Sequence, residues 1–356
     1  MGALLKVTLL GVLLALVGER IRNFCHRSRM FKEVEPVDLP NCQLLKGIEL
    51  GSEDIEVLPN GLAFISSGLK YPSIKCFAPD KPGEILLLDL NDGGLTPAPL
   101  RISKGFDASS FNPHGLSSYI DEKDGTVYLF VVNHPHLDSI IEIFRFVEEK
   151  NSLVHLKSVK HELLNSVNDI VAVGPESFYA TNDFYFSHLY LKYVELFLGT
   201  SWTGVVYYSP GDVRHVATGF YSANGITISK DKQYIYASDL TGQTINVFKR
   251  NKDSSLSPVK SVYVDTLVDN PSVDPVTGDI WAGGHPNGYK LHHYNPEDPP
   301  GSEVVRIQNI HSSHPIVTKV YANDGSVIQA SSSASVYKGQ LLVGTVFHRA
   351  LHCQLE

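Results

Sequence analysis

Methionine and tryptophan are scarce in this sequence, with two of each among 356 residues. Long basic runs and stripes of basic and aromatic residues are absent, and the formal net charge is −8, so the composition argues against nucleic acid as a partner. An Asn-x-Ser/Thr acceptor is also lacking, because the near match at Asn270 is followed by proline. We therefore expect no N-linked glycan on this chain.

The sequence has no His and Cys spacing typical of zinc, and only its N-terminus carries a long apolar run. Leu4–Val17 is apolar except for Lys6 and Thr8, and its length suits a signal-peptide core better than a membrane span. A clean small-residue cleavage site is missing. We therefore expect a secreted, extracellular protein that retains residues 1–22 as an apolar helix docking on lipid, with cleavage of the segment as the alternative.

Four cysteines are present, which are Cys25, Cys42, Cys76 and Cys353. A disulfide between Cys42 and Cys353 would join the start of the folded region to its end, as suits a closed ring in an oxidising compartment. Reduced, buried thiols are the alternative interpretation.

Six similar segments recur along the chain at intervals of roughly 45 to 65 residues, a period typical of propellers. In each segment a polar residue precedes a short alternating strand, a turn follows, and a second, more apolar strand comes next, which predicts a β-hairpin. We predict an all-β fold, a six-bladed β-propeller that occupies residues 40–356 as a single domain. The six segments begin at Glu53, Pro113, Asn168, Asn224, Asp269 and Ala334.

One insertion, residues 184–203, interrupts this repeat after the third unit. Leu189, Tyr193 and Phe197 recur at helical spacing within it, which predicts an amphipathic helix on the top face of the ring. Such a helix packs on the blades, covers a substrate site or contacts lipid, and the sequence does not choose among these roles.

Polar side chains stand where the innermost strand of each predicted blade begins at the central channel. Carboxylate and amide oxygens with few waters left suit calcium better than magnesium, and buried carboxylates are costly without a cation. We therefore predict a central calcium channel, the alternative being that these residues only satisfy strand ends. The oxygen donors at these positions are Glu53, Asn168, Asn224, Asp269 and Asn270.

Two histidines flank one predicted hairpin, with His114 at the start of an inner strand and His134 after the next strand. A pair of imidazoles at the channel mouth can act as a general base, in which the outer ring tunes the inner one. Ordinary strand-end histidines are the equally weighted alternative. His285 lies at another turn of the top face and could contact a ligand.

The whole sequence from Leu39 to Leu355 resembles the vertebrate serum paraoxonase/arylesterase family. The resemblance implies a six-bladed propeller with two calcium ions in its channel, and hydrolysis of lactones and aryl esters. The motifs that carry it are Gly51-Ser-Glu-Asp-Ile, Leu62-Ala-Phe-Ile-Ser-Ser-Gly-Leu-Lys-Tyr-Pro, Phe111-Asn-Pro-His-Gly, Val167-Asn-Asp-Ile-Val-Ala-Val-Gly-Pro, Ser222-Ala-Asn-Gly-Ile, Thr266-Leu-Val-Asp-Asn, Arg306-Ile-Gln-Asn-Ile and Gly344-Thr-Val-Phe-His.

The resemblance also implies a role for individual residues. A structural calcium would bind deeper in the channel, on Asp54, Asp169 and the backbone carbonyl of Leu116. The family's inner and outer histidines correspond to His114 and His134, and its closing disulfide to Cys42 and Cys353. Its retained apolar N-terminus and top-face helix dock on a lipoprotein or membrane. The catalytic calcium would be held by Glu53, Asn168, Asn224, Asp269 and Asn270.

Two departures from the family pattern bear on activity. Gly284 stands where the family usually carries a third cysteine, so a free thiol there plays no part. Ser222 stands where the branch active on phosphotriesters has an aromatic residue, so the chain looks like the lactone-preferring branches.

From the residues and this resemblance we expect a calcium-dependent hydrolase of lipophilic lactones and aryl esters. The catalytic calcium polarises the carbonyl, and His114 with His134 activates water, with Asp269 as the rival base. A non-catalytic propeller that binds lipid or a protein, and a sugar-lactone hydrolase, are the alternatives. A homo-oligomer is compatible with the sequence. The expected pocket wall comprises Leu69, Tyr71, Ser222, Leu240, His285, Val346 and His348.

Overall fold

A computed structural model describes residues 2–71 and 80–355 of the chain, and Cys76 lies outside these residues. The few helices are α1 (Gly2–Arg27), α2 (Leu189–Leu198) and α3 (Gly288–His292), with short 3-10 turns at Ala108–Ser110, Pro135–Leu137 and Glu148–Lys150. All other regular structure in the described residues is β, as predicted from the abundance of β-branched and aromatic residues.

The strands of the described residues form five sheets. The first contains β2 (Ile55–Val57), β3 (Leu62–Ser67), β4 (Glu84–Asp89) and β5 (Ala98–Pro99), and β1 (Cys42–Leu44) precedes it in the chain. The second contains β6 (Arg101–Ile102), β7 (Pro113–Ile120), β8 (Val127–Asn133), β9 (Ile140–Val147) and β10 (Ser152–Val159).

Two further sheets have four strands each, and the last has eight. The four-stranded sheets contain β11 (Val167–Gly174), β12 (Ser177–Asn182), β13 (Thr203–Ser209) and β14 (Asp212–Phe220), then β15 (Ala223–Ile228), β16 (Tyr234–Asp239), β17 (Thr244–Arg250) and β18 (Leu256–Tyr263). The eight-stranded sheet joins β1 to β19 (Leu267–Val273), β20 (Ile280–His285), β21 (Ser302–Gln308), β22 (Ile316–Asn323), β23 (Ser331–Tyr337), β24 (Gln340–Thr345) and β25 (Leu351–Gln354).

Consecutive strands within each group pair antiparallel, except that β6 pairs parallel with β10, so the predicted hairpins are present. In the fourth repeat, for example, Ile226 of β15 lies opposite Ala237 of β16. The result is an all-β, propeller-like fold.

The eight-stranded sheet accounts for the difference between five sheets and the six predicted repeats. It consists of two antiparallel groups, β19 to β22 and β23 to β25 with β1, and a single parallel pair between Asn270 and Ser333 joins them. The two inner strands approach closely enough at this point for one bridge to form. The repeat period did not reveal this contact, because it lies between repeats rather than within one.

The apolar core lies between neighbouring groups of strands rather than within any one of them. Phe130 of β8 packs in one cluster with Phe178 of β12, and Phe64 of β3 packs in another with Phe144 of β9. Full burial of such a side chain contributes about 1.5–3 kcal/mol. A further cluster places Leu342 of β24 against β2 and β3, so the last repeat packs on the first and closes the ring.

The two ends of the ring are also joined through hydrogen bonds and a covalent bond. β1 pairs antiparallel with β25, so a segment that precedes the first repeat becomes the outer strand of the last one. Cys42 lies opposite Cys353 in this pairing, and the two sulfurs form a disulfide. The predicted pairing is confirmed, and the alternative of reduced thiols at these positions is wrong.

Helix α1 is longer than the predicted apolar segment of residues 1–22, because it continues to Arg27. Its apolar side chains from Leu4 to Val17 are exposed. Arg29 follows the helix and is buried, where its guanidinium donates to Asp265, Gln243 and the carbonyl of Pro286. Within the described part of the chain, no helix combines the length and apolar character needed to cross a bilayer.

Helix α2 lies inside the predicted insertion, residues 184–203. Its one buried residue is Glu195, whose carboxylate accepts hydrogen bonds from the backbone amides of Tyr185 and Phe186. The helix ends at Gly199, which adopts the left-handed conformation with φ of 62°. The buried carboxylate therefore fixes the loop that enters the helix.

Removal of the disulfide by the double substitution Cys42→Ser and Cys353→Ser is expected to lower the free energy of unfolding by about 2–5 kcal/mol, because the bond closes a loop across nearly the whole chain. Chemical denaturation measures this change. The matched control is Cys25→Ser, since Cys25 is a free thiol. An equal loss in the control and the double variant would contradict the role assigned to the disulfide.

Candidate active site and metal centre

The polar residues predicted at the axis meet at the inner edge of four groups of strands. Asn168 lies in β11, Asn224 in β15, and Asp269 and Asn270 in β19, while Glu53 lies two residues before β2. All five are at least nine-tenths buried. We call these five residues the oxygen cluster.

Breaks in strand register explain how consecutive residues come to face the axis. The pairing of β11 with β12 shifts between Val167 and Ile170, and similar shifts occur around Asn224 in β15 and around Asp269 in β19. A β-bulge at each place interrupts the strict alternation of side chains and re-aims them. The shift in β7 likewise contains His114.

Glycines follow two of these polar residues because neighbouring inner strands approach closely there. A Cβ atom on Gly115 would lie 2.6 Å from the Cα of Asp169, and one on Gly225 would lie 2.5 Å from the Cα of Asn270. Any larger residue would push the inner strands apart and separate the polar groups at the axis.

Each residue of the oxygen cluster has one buried oxygen without a hydrogen-bond partner. Asn270 donates from Nδ2 to Oε1 of Glu53 at 3.0 Å, which leaves its own Oδ1 facing away from that bond. Buried polar atoms are rarely left without partners, so five buried oxygens in one place fit the ligands of a bound cation. The unpartnered atoms are Oε2 of Glu53, Oδ1 of Asn168, Oδ1 of Asn224, Oδ1 of Asp269 and Oδ1 of Asn270.

The donor set depends on amides as much as on carboxylates. Across residues 2–71 and 80–355, no group of three or more His, Cys, Asp and Glu side chains is placed to hold a metal ion. A set of two carboxylate and three amide oxygens contains no nitrogen or sulfur donor, and hard cations such as calcium prefer such oxygens.

Asp54 and Asp169 lie next to members of the oxygen cluster but have different partners. Both oxygens of Asp54 accept backbone amide hydrogens, from Ile55 and Leu116, and both oxygens of Asp169 accept them from Ile170 and Ile226. Burial, together with neighbouring carboxylates, raises the pKa of each aspartate well above its usual range. Leu116 therefore contacts Asp54 through its amide nitrogen, and its predicted use of a carbonyl oxygen stays untested.

The two histidines form a directed pair. Nδ1 of His134 lies 3.0 Å from the carbonyl oxygen of Asp138, and its Nε2 lies 3.0 Å from Nδ1 of His114. A carbonyl only accepts hydrogen bonds, so Nδ1 of His134 carries the hydrogen. Burial and the charge of His114 lower the pKa of His134 to about 3, so its Nε2 is an acceptor at neutral pH.

This arrangement fixes the tautomer of His114. Its Nδ1 donates to His134, which leaves Nε2 as the ring nitrogen that faces the axis, where Oε1 of Glu53 is 3.4 Å away. Burial alone would lower the pKa of His114, but the carboxylates of Glu53, Asp183 and Asp269 outweigh it and raise the pKa. His114 is therefore oriented to accept a proton at the axis.

The two oxygens of Asp269 have different surroundings. Oδ2 lies 2.9 Å from Nε2 of His285, whereas Oδ1 is the unpartnered atom of the oxygen cluster. Burial raises the pKa of this carboxyl, although His285 opposes the shift. One oxygen of Asp269 is therefore engaged by His285, and the other belongs to the oxygen cluster.

A cavity of about 310 Å³ opens above the oxygen cluster. Leu69, Tyr71, Ser222, Leu240, His285 and Val346 line it, together with Glu53, His114, Asn168, Asn224 and Asp269. His348 is not among the described residues that line it, so its predicted place in the wall stays a prediction. The backbone of His348 bonds to Thr345 and Gly51, and its side chain is half-buried.

Sequence reasoning missed several wall residues that the helices supply. Phe24 and Arg27 come from α1, Tyr193 and Phe197 from α2, and Leu291 from α3. Two residues of the predicted stripe, Tyr193 and Phe197, therefore line the cavity, a role that the sequence had left open, whereas Leu189 is not among the lining residues. Asp183, which binds the hydroxyl of Tyr71 at 3.0 Å, was also missed, although its position at the end of an inner hairpin resembles that of His134.

Residues 33–355 match the model of the arylesterase family. The chain is 61% identical to serum paraoxonase/arylesterase 2 of Gallus gallus and 59% identical to the human protein of that name. It is 57% identical to serum paraoxonase/lactonase 3 of Oryctolagus cuniculus. Each match covers 100% of both chains.

Solved structures with low sequence identity share the fold. A gluconolactonase from Xanthomonas campestris matches with a TM-score of 0.54 at 14% identity, over 92% of this chain and 97% of its own. A regucalcin from Agrobacterium tumefaciens, described as a calcium-binding protein, matches with a TM-score of 0.51 at 13% identity, over 91% of this chain and 94% of its own. At these identities the likeness establishes the propeller-like fold alone.

His134 is expected to make stability depend on pH in acid. Its pKa is lower when folded than the usual value of about 6.5, so between that pH and about pH 3 the unfolded chain binds a proton that the folded chain does not. Stability from this residue is present above pH 6.5 and is lost as the pH falls towards 3, by up to about 1.4 kcal/mol per pH unit.

The substitution His134→Gln should reduce the slope of unfolding free energy against pH by about one proton between pH 6 and pH 4. Denaturant titrations at several pH values measure this slope, and His314→Gln, at an exposed position, is the control. If both variants kept the slope of the parent chain, the assignment of a neutral His134 would fail.

Proposed function

The chain belongs to the arylesterase family and is a carboxylic ester hydrolase, and on that premise we propose that it hydrolyses lactones and aryl esters with calcium bound at the oxygen cluster. The observation that carries this proposal is the set of five buried oxygens without partners beneath the cavity. We also infer that the ring has six blades, because its eight-stranded sheet divides into two groups at the single pair between Asn270 and Ser333.

The residues of the oxygen cluster fit a calcium ion. Glu53 and Asp269 are 2% and 4% exposed, so their charges cannot be compensated by bulk water. No Lys or Arg is among the described residues that bond to them, which leaves a bound cation as the compensating charge. Calcium accepts six to eight oxygen ligands in flexible geometry, so five protein oxygens leave room for a substrate oxygen or water.

A second calcium ion is proposed at Asp54 and Asp169. These two carboxylates are buried and have only backbone amides as hydrogen-bond partners. Burial raises the pKa of both, and the neighbouring charges of Glu53 on Asp54 and of Asp54 on Asp169 raise it further. Amide hydrogens reduce the cost of burying two like charges but do not neutralise them. A cation at this depth would do so, and would also tie the inner strands of neighbouring repeats together.

The chemistry that calcium supplies when bound at the oxygen cluster is polarisation of the substrate carbonyl. His114 acts as the general base, since its Nε2 is held at the axis while its Nδ1 bonds to His134. His134 fixes the tautomer of His114 through the bond between the two rings. The carbonyl of Asp138 holds the ring of His134 in the orientation that this bond requires. His134 is thus a positioning residue for His114.

Asp269 remains the rival base in this proposal. Its Oδ2 is bonded to His285 and its Oδ1 belongs to the oxygen cluster, so the proposed calcium ion and His285 would occupy both of its oxygens. The hydrogen-bond pattern therefore supports the histidine pair as the base over the aspartate.

The cavity favours lipophilic substrates. Leu69, Leu240 and Val346 line it, and the helices add aromatic and aliphatic side chains around its outer part. A sugar lactone would need more polar partners than this wall offers. Ser222 is small, and its hydroxyl donates to the carbonyl of Asp183 instead of pointing a ring at the substrate. We propose lactones as the preferred esters on this ground.

We further propose that the protein is secreted and docks on a lipoprotein or membrane through α1 and α2. Tyr190, Leu191 and Val194 of α2 are exposed, as are the apolar residues of α1. Such exposed apolar faces fit an interfacial helix rather than a membrane span. The purely structural alternative, a propeller that binds lipid without catalysis, is disfavoured by the chain's membership of a hydrolase family.

Chelation with EDTA is expected to abolish lactone hydrolysis, and added Ca²⁺ should restore it. The substitution Asn224→Ala removes one oxygen of the cluster and should raise the Ca²⁺ concentration for half-maximal activity about tenfold or more. Asn246→Ala is the matched control, since Asn246 bonds to Thr244 on an outer strand. Full activity after chelation would show that calcium has no part in the reaction.

His114→Gln is expected to reduce kcat about 10²–10⁴-fold with calcium still bound, because the general base is lost. His155→Gln serves as the control, because His155 pairs with Glu142 in the same sheet but lies outside the cavity. Steady-state kinetics with a lactone, alongside a calcium-binding assay, measure both effects. If Asp269→Asn abolished activity with calcium bound while His114→Gln did not, the base would be Asp269.

A further inference from the structure

Arg27 differs from every other polar residue of the cavity wall. It is the one Lys or Arg side chain among the described residues that line the cavity. Its Nη2 is buried and has no hydrogen-bond partner. A guanidinium offers five N–H donors, and leaving a charged donor buried and unpaired is costly. Nη2 lies against Gly199 and the described residues supply no acceptor to it, so an acceptor would reach this guanidinium only from the cavity that Arg27 lines.

The surroundings of Arg27 hold its guanidinium in place without neutralising it. The group lies 5.5 Å from the centre of the Tyr221 ring and packs against Gly199, where any side chain would collide with it. Burial lowers the pKa of Arg27, with Tyr221 acting to raise it and Arg20 to lower it. Neither neighbour is a carboxylate, so the positive charge is uncompensated.

The charge of the cavity is divided between its two ends. Glu53, Asp183 and Asp269 line the deep end, and three carboxylates exceed the charge of one divalent cation there. Arg27 lies at the end of α1, beside α2. A substrate with an anionic tail would be repelled from the deep end and attracted towards Arg27, which places its other end at the oxygen cluster.

We propose that Arg27 is a specificity residue that binds a carboxylate at the far end of the side chain of a lactone substrate. This inference rests on the proposed lactone hydrolysis and names the class of substrate: a lactone with an apolar side chain that ends in an anion. The apolar wall accommodates the chain, and the oxygen cluster faces the ring carbonyl. The guanidinium donates charge-assisted hydrogen bonds to the carboxylate.

The contact lies away from the reacting carbonyl, so it is present in the bound substrate and in the transition state alike. Such uniform binding changes KM and leaves kcat nearly constant. Arg27 is therefore expected to act on KM for substrates with an anionic tail.

The test compares pairs of γ-lactones with side chains of equal length, one ending in a carboxylate and one in a methyl group, over several chain lengths. The full-length protein with Ca²⁺ is assayed, and the ratio of kcat/KM for the two members is measured. In Arg27→Met this ratio is expected to fall about tenfold, through KM, at the chain length that the parent protein prefers. Arg27→Lys should retain most of the ratio, because it retains the charge.

Arg20→Met is the matched control, since Arg20 lies on the same helix and donates to the carbonyl of Leu198 but does not line the cavity. It should keep the ratio of the parent protein. An unchanged ratio in Arg27→Met, or an equal fall in Arg20→Met, would overturn the inference. Failure of the parent protein to hydrolyse either lactone of any pair would overturn the proposed function instead, so the two failures are distinguishable.

Discussion

Uncompensated carboxylate charge at the centre of the ring is the constraint on which the rest of the molecule depends. Glu53 and Asp269 cannot stay ionised in an apolar interior without a counter-charge, and the neighbouring side chains supply amide oxygens rather than cations. The inner strands bulge to aim these oxygens at one place, and glycines let the strands come close. The apolar clusters between groups of strands then hold the arrangement rigid.

Much of this could be predicted from the sequence, because each inner strand begins with a recognisable polar residue. The hairpins around Asn168 and Asn224 follow alternation of apolar residues, which depends only on local pattern. The bridge between Asn270 and Ser333 and the wall residues that α1 supplies could not be predicted. Both depend on how separate repeats or loops pack, and no local pattern encodes that.

The helices show the same limit. The stripe of α2 was visible in the sequence, but the neighbour that it faces depends on α1. The ring centres of Phe24 in α1 and Phe197 in α2 are 6.0 Å apart. Arg29 then fixes the end of α1 to the ring through Asp265. The cavity wall is thus assembled from the N-terminal segment and the insertion together, and Arg27 owes its position to both.

The pairing of β1 with β25 has a consequence for synthesis of the chain. β1 lacks its partner until β25 has left the ribosome, so the ring stays open until that point of translation. Contacts this distant in sequence form slowly, because a very long loop must close first. A truncated product that lacks β25 would keep an unpaired strand edge exposed. Cellular quality control could recognise such a product by this edge, which the full chain covers.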